Sequence, residues 1–183
     1  FEPLWYGDEG IYQVIGHSLN SGKLLYTEIF DNKPPLLYWL YAIFNSDQFT
    51  IRFISLIFGV LSIMIFFLLS KKLFGNTKNK IHFVTTFVFA VLFGLPTFEG
   101  NIANAENFLL LFVLASAFLI VNRKKYFLAG LLLGIAFLFK IVAVFDFAAF
   151  FIFYFITNYN FLKKAIKPPM IAIGFFIPFV SVS

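Results

Sequence analysis

Apolar runs joined by short polar connections make up the chain from residue 51 onward. A helix that crosses a bilayer needs about 20 predominantly apolar residues. The run from 126 to 157 is too long for a single crossing, and we divide it at Lys140. The pattern therefore predicts membrane-spanning helices at 51–70, 82–98, 105–121, 126–139, 141–157 and 170–183.

The beginning of the chain is more polar and follows a different pattern. Apolar side chains recur at spacings of three and four over 8–21, which predicts a short amphipathic helix lying in the membrane interface. A loop follows over 23–33. Pro34-Pro35 then begins a second interfacial helix, because proline is tolerated in a first helical turn and the aromatic rings that follow favour the headgroup level. Residues 1–50 thus form an outer loop with two interfacial helices.

The composition favours an integral membrane protein. The chain is 61% hydrophobic, contains 30 Phe and is only 13% charged, whereas ordinary soluble domains carry about 25% charged residues. Its net charge of +5 does not indicate nucleic-acid binding, because the basic residues fall in short clusters between apolar runs. The absence of Cys excludes disulfides and thiolate metal sites. We predict an all-α fold, a polytopic transmembrane helix bundle.

The basic clusters predict the orientation of this bundle. Three alternate connections, 71–80, 123–125 and 163–167, contain most of the Lys and Arg residues. The positive-inside rule places such connections in the cytoplasm. The connection 99–106 has no Lys or Arg, and this topology places it outside together with residues 1–50.

The acidic residues gather on the predicted outer side. Asp146 lies just below that side, within a span, and the other acids lie on it: Glu2, Asp8, Glu9, Glu28, Asp31, Asp47, Glu99 and Glu106. Acids contribute little to membrane orientation, so insertion does not require this one-sidedness. Carboxylates with a few cations on one membrane face indicate a site. The alternative is that longer outer loops simply collect polar residues.

Two parts of the outer loop carry residues with chemical potential. Asp8 and Glu9 are suited to a general base or to a divalent-metal ligand, although acids at a helix start also cap it and complement its dipole. Asp31 and Lys33 precede the proline-started helix. A lysine beside a helix N-terminus suits a phosphate, and the alternative is a solvated loop.

Further polar residues lie at the ends of predicted spans. Glu106 lies at the start of one predicted span and is a candidate site residue. The alternative is that Asn104 caps this helix and Glu106 only complements its dipole. Lys140 would cost about 2.5–3.5 kcal/mol at mid-bilayer, but far less if its side chain reaches the interface. Gly130 and Gly134 form a small-xxx-small pair, which predicts close packing with another helix.

The segments that carry a family resemblance are DEGIYQVIGHSLNSGKLLY, FDNKPPLLYWLYAIF, LLSKKLFG, NAENFLLLF and AGLLLGIAFLFK. In this order they resemble the polyprenyl-phosphate-sugar-dependent glycosyltransferases of the GT-C type, closest to the branch of protein O-mannosyltransferases and lipid A aminoarabinose transferases. The resemblance covers the chain from Asp8 to about Phe150. It implies a GT-C-like bundle of transmembrane helices.

The resemblance also implies roles for individual residues. Asp8 matches the catalytic acid, which acts as base toward the acceptor, and Glu9 is its partner in orienting substrate or metal. Lys33, in the Lys-Pro motif, corresponds to the residue that binds the lipid-linked phosphate, and Lys140 lies near that phosphate. Glu106 matches the second acidic position of the fold.

A divalent metal is a further possibility that the resemblance raises. Asn32 stands where some relatives carry a metal-ligating Glu, which puts a metal site in doubt. Asp31 is positioned to substitute for it. The candidate metal ligands are therefore Asp8, Asp31 and Glu106, and no other cofactor is implied.

The expected activity is an inverting hexosyl or pentosyl transfer from a polyprenyl-phosphate sugar to a lipid, glycan or protein acceptor, at the periplasmic face of a bacterial inner membrane. It requires the ends of the outer segment, Asp8 and Lys33, to meet. A non-catalytic membrane subunit of the same scaffold and a small transporter are the alternatives. Because the chain starts without Met and ends in an apolar run, we expect it to be a piece of a longer protein.

Overall fold

The computed structural model describes residues 7–75, 80–100, 102–123, 125–162 and 170–180. Within these ranges the regular secondary structure is helical, apart from one isolated bridge between Leu25 and Ile29. The helices in chain order are α1 (Gly7–Asn20), α2 (Pro35–Ile43), α3 (Gln48–Phe74), α4 (Ile81–Gly94), α5 (Ala105–Phe118), α6 (Tyr126–Phe139), α7 (Ala143–Leu162) and α8 (Met170–Val180). A 3₁₀ turn follows α4 at Pro96–Phe98, and a π-helical turn follows α5 at Leu119–Arg123.

Some of the predicted features lie outside the described residues. They are the acid Glu2, the last residues of the predicted span 170–183, and five of the lysines that predicted the cytoplasmic side, Lys78, Lys124, Lys163, Lys164 and Lys167.

Among the described residues, two helical segments are long and apolar enough to cross a membrane: Gln48–Phe74, and Ala105–Asn122, which joins α5 to the π-helical turn. Only 28% of the apolar 18-residue stretch in the first segment and 33% of that in the second are buried, so most of these side chains face outward. A helix that is apolar all round without being buried by protein suits a lipid environment. The apolar stretches of α4, α6, α7 and α8 are shorter, between 10 and 17 residues. Helix length therefore marks two spans where the apolar runs predicted six.

Local chemistry explains where two of the helices begin and end. The Asp47 carboxylate accepts hydrogen bonds from the backbone N (2.8 Å) and Oγ1 (2.6 Å) of Thr50, and this cap starts α3 before the predicted residue 51. Pro96 disfavours helical backbone at the residue before it, and α4 ends at Gly94 rather than at the predicted residue 98.

The long apolar run from 126 to 157 is divided at Lys140, which has extended backbone angles. A turn at Ile141 and Val142 follows and leads into α7. The turn places Lys140 at the end of α6, close to the N-terminal end of α5.

The first two helices pack against each other and against the ends of the longer helices. Gly16 allows the close approach of α1 to α2, because a Cβ there would lie 3.1 Å from the backbone N of Ala42 and 2.3 Å from Ser46 Oγ. Tyr12, Ile15, Leu37, Tyr38 and Tyr41 then join residues of α3, α5 and α6 in one buried cluster. The two helices that were predicted to lie in the membrane interface are therefore part of the protein core.

The predicted close packing at Gly130 and Gly134 is confirmed. A Cβ at Gly130 would lie 1.9 Å from the carbonyl oxygen of Ile171, and one at Gly134 would lie 2.3 Å from that of Phe175. Both carbonyls belong to α8. The two glycines therefore let the backbones of α6 and α8 approach directly, as small residues do between membrane helices.

Candidate active site

The two ends of the outer segment meet. Asp8 lies in the first turn of α1, and Lys33 lies just before α2. Because α1 packs along α2, Lys33 Nζ comes to lie 3.5 Å from Asp8 Oδ2. The side chain of Asp8 is 47% exposed and that of Lys33 is 16% exposed. Asp8, the predicted base, and Lys33, the predicted phosphate-binding residue, thus form an ion pair at the protein surface.

The loop over 23–33 is held by hydrogen bonds from its own residues and from α2. Tyr26 Oη donates a hydrogen bond to the carbonyl oxygen of Lys33 (2.6 Å), and Tyr38 Oη donates one to the Asp31 carboxylate. The backbone N of Leu24 donates to Glu28 Oε2 (2.7 Å). The bond from Tyr26 holds the backbone at Lys33, from which the Lys33 side chain projects.

Glu9 faces into the protein, with only 3% of its side chain exposed. Its carboxylate accepts hydrogen bonds from Arg52 Nη2 (2.6 Å) and Nε (3.0 Å), from Gln48 Nε2 (3.2 Å) and from the backbone N of Ala103 (2.8 Å). Burial alone would raise the pKa of the Glu9 carboxyl, but these hydrogen bonds outweigh burial and hold that pKa below its usual value. A ligand would have to displace these donors to reach Glu9.

Glu106 and Lys140 form a second acid–base pair. Glu106 lies in the first turn of α5, and Lys140 directly follows α6. The Lys140 ammonium donates to Glu106 Oε1, and both side chains keep solvent contact, 28% for Lys140 and 51% for Glu106. A paired lysine that keeps contact with solvent costs far less free energy at a membrane than an isolated lysine in hydrocarbon.

The lysines of the two pairs share a pocket of about 180 Å³. It is lined by Asn32, Lys33, Pro34, Lys140, Ile141 and Val142. Both predicted phosphate-binding lysines are therefore in its wall, together with the residues that precede α2. Ile141 and Val142 add an apolar side, and each remains about half exposed.

A group of three buried tyrosines lies beneath these pairs and was not predicted as part of a site. Tyr12, Tyr38 and Tyr41, here called the tyrosine cluster, are fully buried. The Tyr12 ring meets the other two edge to face, and its centroid lies 6.1 Å from that of Tyr38 and 5.5 Å from that of Tyr41. Tyr12 Oη lies 3.1 Å from Asp8 Oδ2, and Lys33 Nζ lies 4.7 Å from the centre of the Tyr12 ring. The sequence signal was the spacing of four between Asp8 and Tyr12, which places both on one helix face.

The turn before α5 completes the arrangement. Asn104 Oδ1 accepts a hydrogen bond from the backbone N of Ala105 (2.9 Å), which confirms that Asn104 caps α5. Its Nδ2 donates to Glu99 Oε2 (2.7 Å). Tyr41 Oη donates to the carbonyl oxygen of Ala103 (2.8 Å) in the same turn. The turn is thereby joined to both outer helices.

Residues 32–183 match the family model described as dolichyl-phosphate-mannose-protein mannosyltransferase. The chain belongs to this family. The match includes Lys33, Glu106 and Lys140, and it begins after Asp8 and Glu9. It confirms the resemblance to GT-C glycosyltransferases that the sequence motifs carry.

Two curated relatives are similar to this member of the mannosyltransferase family. One, from Wigglesworthia glossinidia brevipalpis, is named undecaprenyl phosphate-alpha-4-amino-4-deoxy-L-arabinose arabinosyl transferase and is 28% identical over 91% of this chain and 33% of its own length. The other, an uncharacterized protein of Aquifex aeolicus (strain VF5), is 27% identical over 73% of this chain and 28% of its own length. The chain thus spans about a third of the relatives it matches. No solved structure matches it significantly.

The arrangement of acids in this family member does not fit a metal site. Among the residues that the structure describes, no three Asp, Glu, His or Cys side chains come together closely enough to hold one ion. The three candidate ligands have separate partners: Asp8 pairs with Lys33, Asp31 accepts from Tyr38, and Glu106 pairs with Lys140. We therefore assign no reaction step to a metal.

Proposed function

We propose that the protein containing this chain is a membrane glycosyltransferase that moves a sugar from a polyprenyl-phosphate donor to an acceptor hydroxyl. The observation that carries the proposal is the 3.5 Å contact between Asp8 and Lys33, beside a pocket that Lys33 shares with Lys140. A base next to a cationic pocket is what a displacement of phosphate requires. The family match and the name of the arabinosyl transferase relative support this chemistry.

The protein is proposed to be a GT-C-like polytopic bundle in a bacterial inner membrane. In this arrangement α3 and α5 cross the bilayer, and the shorter apolar helices complete the bundle. The outer segment, with α1 and α2, lies on the periplasmic face. Exposed apolar side chains along α3 and α4, among them Leu56, Val60, Phe87 and Val91, would face the acyl chains.

The pocket beside α2 is proposed to bind the donor phosphate. The ammonium groups of Lys33 and Lys140 oppose its negative charge, and the N-terminus of α2 points its positive dipole end to the same place. Ile141 and Val142 offer apolar surface on the adjoining wall, toward the membrane. A charged side and an apolar side suit an amphiphile such as a lipid phosphate.

The proposed reaction is a single displacement. Asp8 takes the proton from the acceptor hydroxyl, the acceptor oxygen bonds to the anomeric carbon, and the bond from that carbon to the phosphate oxygen breaks. The phosphate leaves with the electron pair of that bond, and the lysines stabilise its charge. One displacement inverts the anomeric configuration. Glu9, whose oxygens are bound by Arg52, Gln48 and Ala103, is proposed to hold α1 in place and not to contact substrate.

The test is sugar transfer by the purified full-length protein, with polyprenyl-phosphate donors carrying mannose or 4-amino-4-deoxy-L-arabinose. Asp8→Asn should lower kcat by about 100-fold or more, because general-base catalysis contributes roughly 10²–10⁴-fold. Lys33→Met should raise KM for the donor. The matched controls are Glu28→Gln and Lys23→Met, at exposed positions of the loop before α2, and they should leave transfer unchanged. The amide oxygen of Gln can still accept from the backbone N of Leu24. A fully active Asp8→Asn variant would overturn the base assignment.

A further inference from the structure

We propose that Tyr12 is a positioning residue that orients both groups of the site, its hydroxyl holding the Asp8 carboxylate and its ring face holding the Lys33 ammonium. The inference rests on the proposed function, because it gives Tyr12 a task in that reaction. No substrate contact is assigned to Tyr12, which is fully buried.

The position of the Tyr12 ring is set by its surroundings. Tyr38 and Tyr41 of α2 contact it edge to face from two sides, with interplanar angles of 63° and 70°. Since α1 and α2 pack closely at Gly16, one helical turn farther along α1, the ring has little freedom to move. A fixed ring can determine where its neighbours lie.

The Tyr12 hydroxyl has one hydrogen and two acceptors within reach, Asp8 Oδ2 at 3.1 Å and Asn104 Oδ1 at 3.3 Å. Asn104 Oδ1 already accepts from the backbone N of Ala105. A carboxylate is the stronger acceptor, and it is also nearer, so the hydrogen is donated to Asp8. Burial, followed by the nearby Asp8 charge, raises the pKa of Tyr12 far above its usual range, which keeps this hydrogen in place.

The bond orients the carboxylate as well as holding it. The Tyr12 hydroxyl and the Lys33 ammonium both contact Oδ2 of Asp8, while the side chain as a whole remains 47% exposed. We therefore assign the other oxygen, Oδ1, to the proton of the acceptor hydroxyl. Loss of the Tyr12 hydroxyl would let the carboxylate rotate, and a small misplacement of a catalytic group is costly in rate.

The ring has a separate effect on Lys33. An ammonium 4.7 Å from a ring centre is within the range of a cation–π interaction. This contact keeps the Lys33 side chain folded back over α1, beside Asp8, and only 16% exposed. The hydroxyl therefore orients Asp8, and the ring positions Lys33. One substitution that removes only the hydroxyl and another that also removes the ring can separate the two effects.

The experiment compares Tyr12→Phe with Tyr12→Leu in the full-length protein. Tyr12→Phe keeps the ring, so kcat should fall by about 10- to 100-fold, as expected for losing a hydrogen bond to a charged group, while donor KM stays within about twofold. Tyr12→Leu should in addition raise donor KM by about fivefold. An unchanged kcat in the first variant, or an unchanged donor KM in the second, would overturn the proposal.

The matched control is Tyr41→Phe. Tyr41 is a fully buried member of the same cluster, but its hydroxyl bonds to the backbone of Ala103 and not to Asp8. It should lose stability without a comparable loss of kcat. Equal kcat losses in Tyr41→Phe and Tyr12→Phe would show that Tyr12 acts only through folding, and the proposal would be wrong.

Two further measurements keep the result clear. If Tyr12→Phe does not fold, replacing Tyr12 with 3-fluorotyrosine keeps the shape and makes the hydroxyl a stronger donor; kcat must then change at constant donor KM, and an unchanged kcat would contradict the proposal. Asp8→Asn serves to separate the two proposals. If it stays active, the base assignment in the proposed function fails, whereas an inactive Asp8→Asn beside a fully active Tyr12→Phe refutes only the role of Tyr12.

Discussion

Replacing Glu9 with Gln would remove a negative charge that four donor groups surround. Two of these groups belong to Arg52, one to Gln48 and one to the backbone of Ala103. The carboxylate thus joins α1 to α3 and to the turn before α5. In Glu9→Gln one oxygen becomes an NH₂ group, which donates and cannot accept from the guanidinium.

The structure sets the size of the expected effect. Breaking a buried ion pair by removing one charge typically costs about 3–5 kcal/mol. The Glu9 side chain is only 3% exposed, but that of Arg52 is 20% exposed, so water can partly solvate the guanidinium. We therefore expect the lower end, about 3 kcal/mol of the free energy of unfolding.

Denaturant titration of the full-length protein in detergent micelles measures this cost. Arg52→Gln should also destabilise, and the double variant should be about 2 kcal/mol more stable than the sum of the single effects predicts, because it removes both charges of the Glu9–Arg52 pair together. Glu28→Gln is the matched control. Its carboxylate is exposed, and the expected change is within about 0.5 kcal/mol.

Unfolding of Glu9→Gln at the same denaturant concentration as Glu28→Gln would contradict a stabilising role for the Glu9 contacts. Single effects of Glu9→Gln and Arg52→Gln that simply add would contradict the coupling between the two residues. In the first case the contacts of Glu9 would not stabilise the packing of α1, and Glu9 would again be a candidate for contact with substrate.

Other expected outcomes test the electrostatics, the packing and the topology. The pKa of Glu9 is lowered in the folded state, so its stabilisation is present above the unfolded value of about 4.3 and is lost as pH falls through the folded value. Denaturant titrations between about pH 6 and pH 3 should show a larger loss of stability in the unsubstituted protein than in Glu9→Gln. Gly130→Val should cost about 1–3 kcal/mol of unfolding free energy, because its Cβ meets a backbone carbonyl of α8, whereas Gly10→Ala meets nothing within 4 Å and should stabilise α1 by up to about 1 kcal/mol; equal stabilities would contradict the packing. In intact cells, Cys introduced at the exposed positions Thr27 and Lys72 should react with an impermeant thiol reagent only at Thr27, and the reverse pattern would overturn the orientation.

Much of the helical organisation could be predicted from the sequence, because it follows from local chemistry. The division of the long apolar run at Lys140, the cap at Asn104 and the proline start of α2 each depend on neighbouring residues. The prediction was less accurate for helix ends. The Asp47 cap starts α3 before its apolar run begins, and α4 ends at Gly94, before its apolar run does.

Residues 8–35 carry an acid pair at one end and a lysine before two prolines at the other, and the apolar pattern of the helices that follow favours a membrane; both features are evident from the sequence. The different surroundings of the two acids follow from tertiary packing. Asp8 and Glu9 are adjacent in the chain, but neighbours on a helix point about 100° apart. The packing of α1 therefore turns Asp8 toward Lys33 and solvent and turns Glu9 inward to Arg52. The same packing brought Tyr12 into contact with both Asp8 and Lys33, a relation that depends on α2 and that no local pattern specifies.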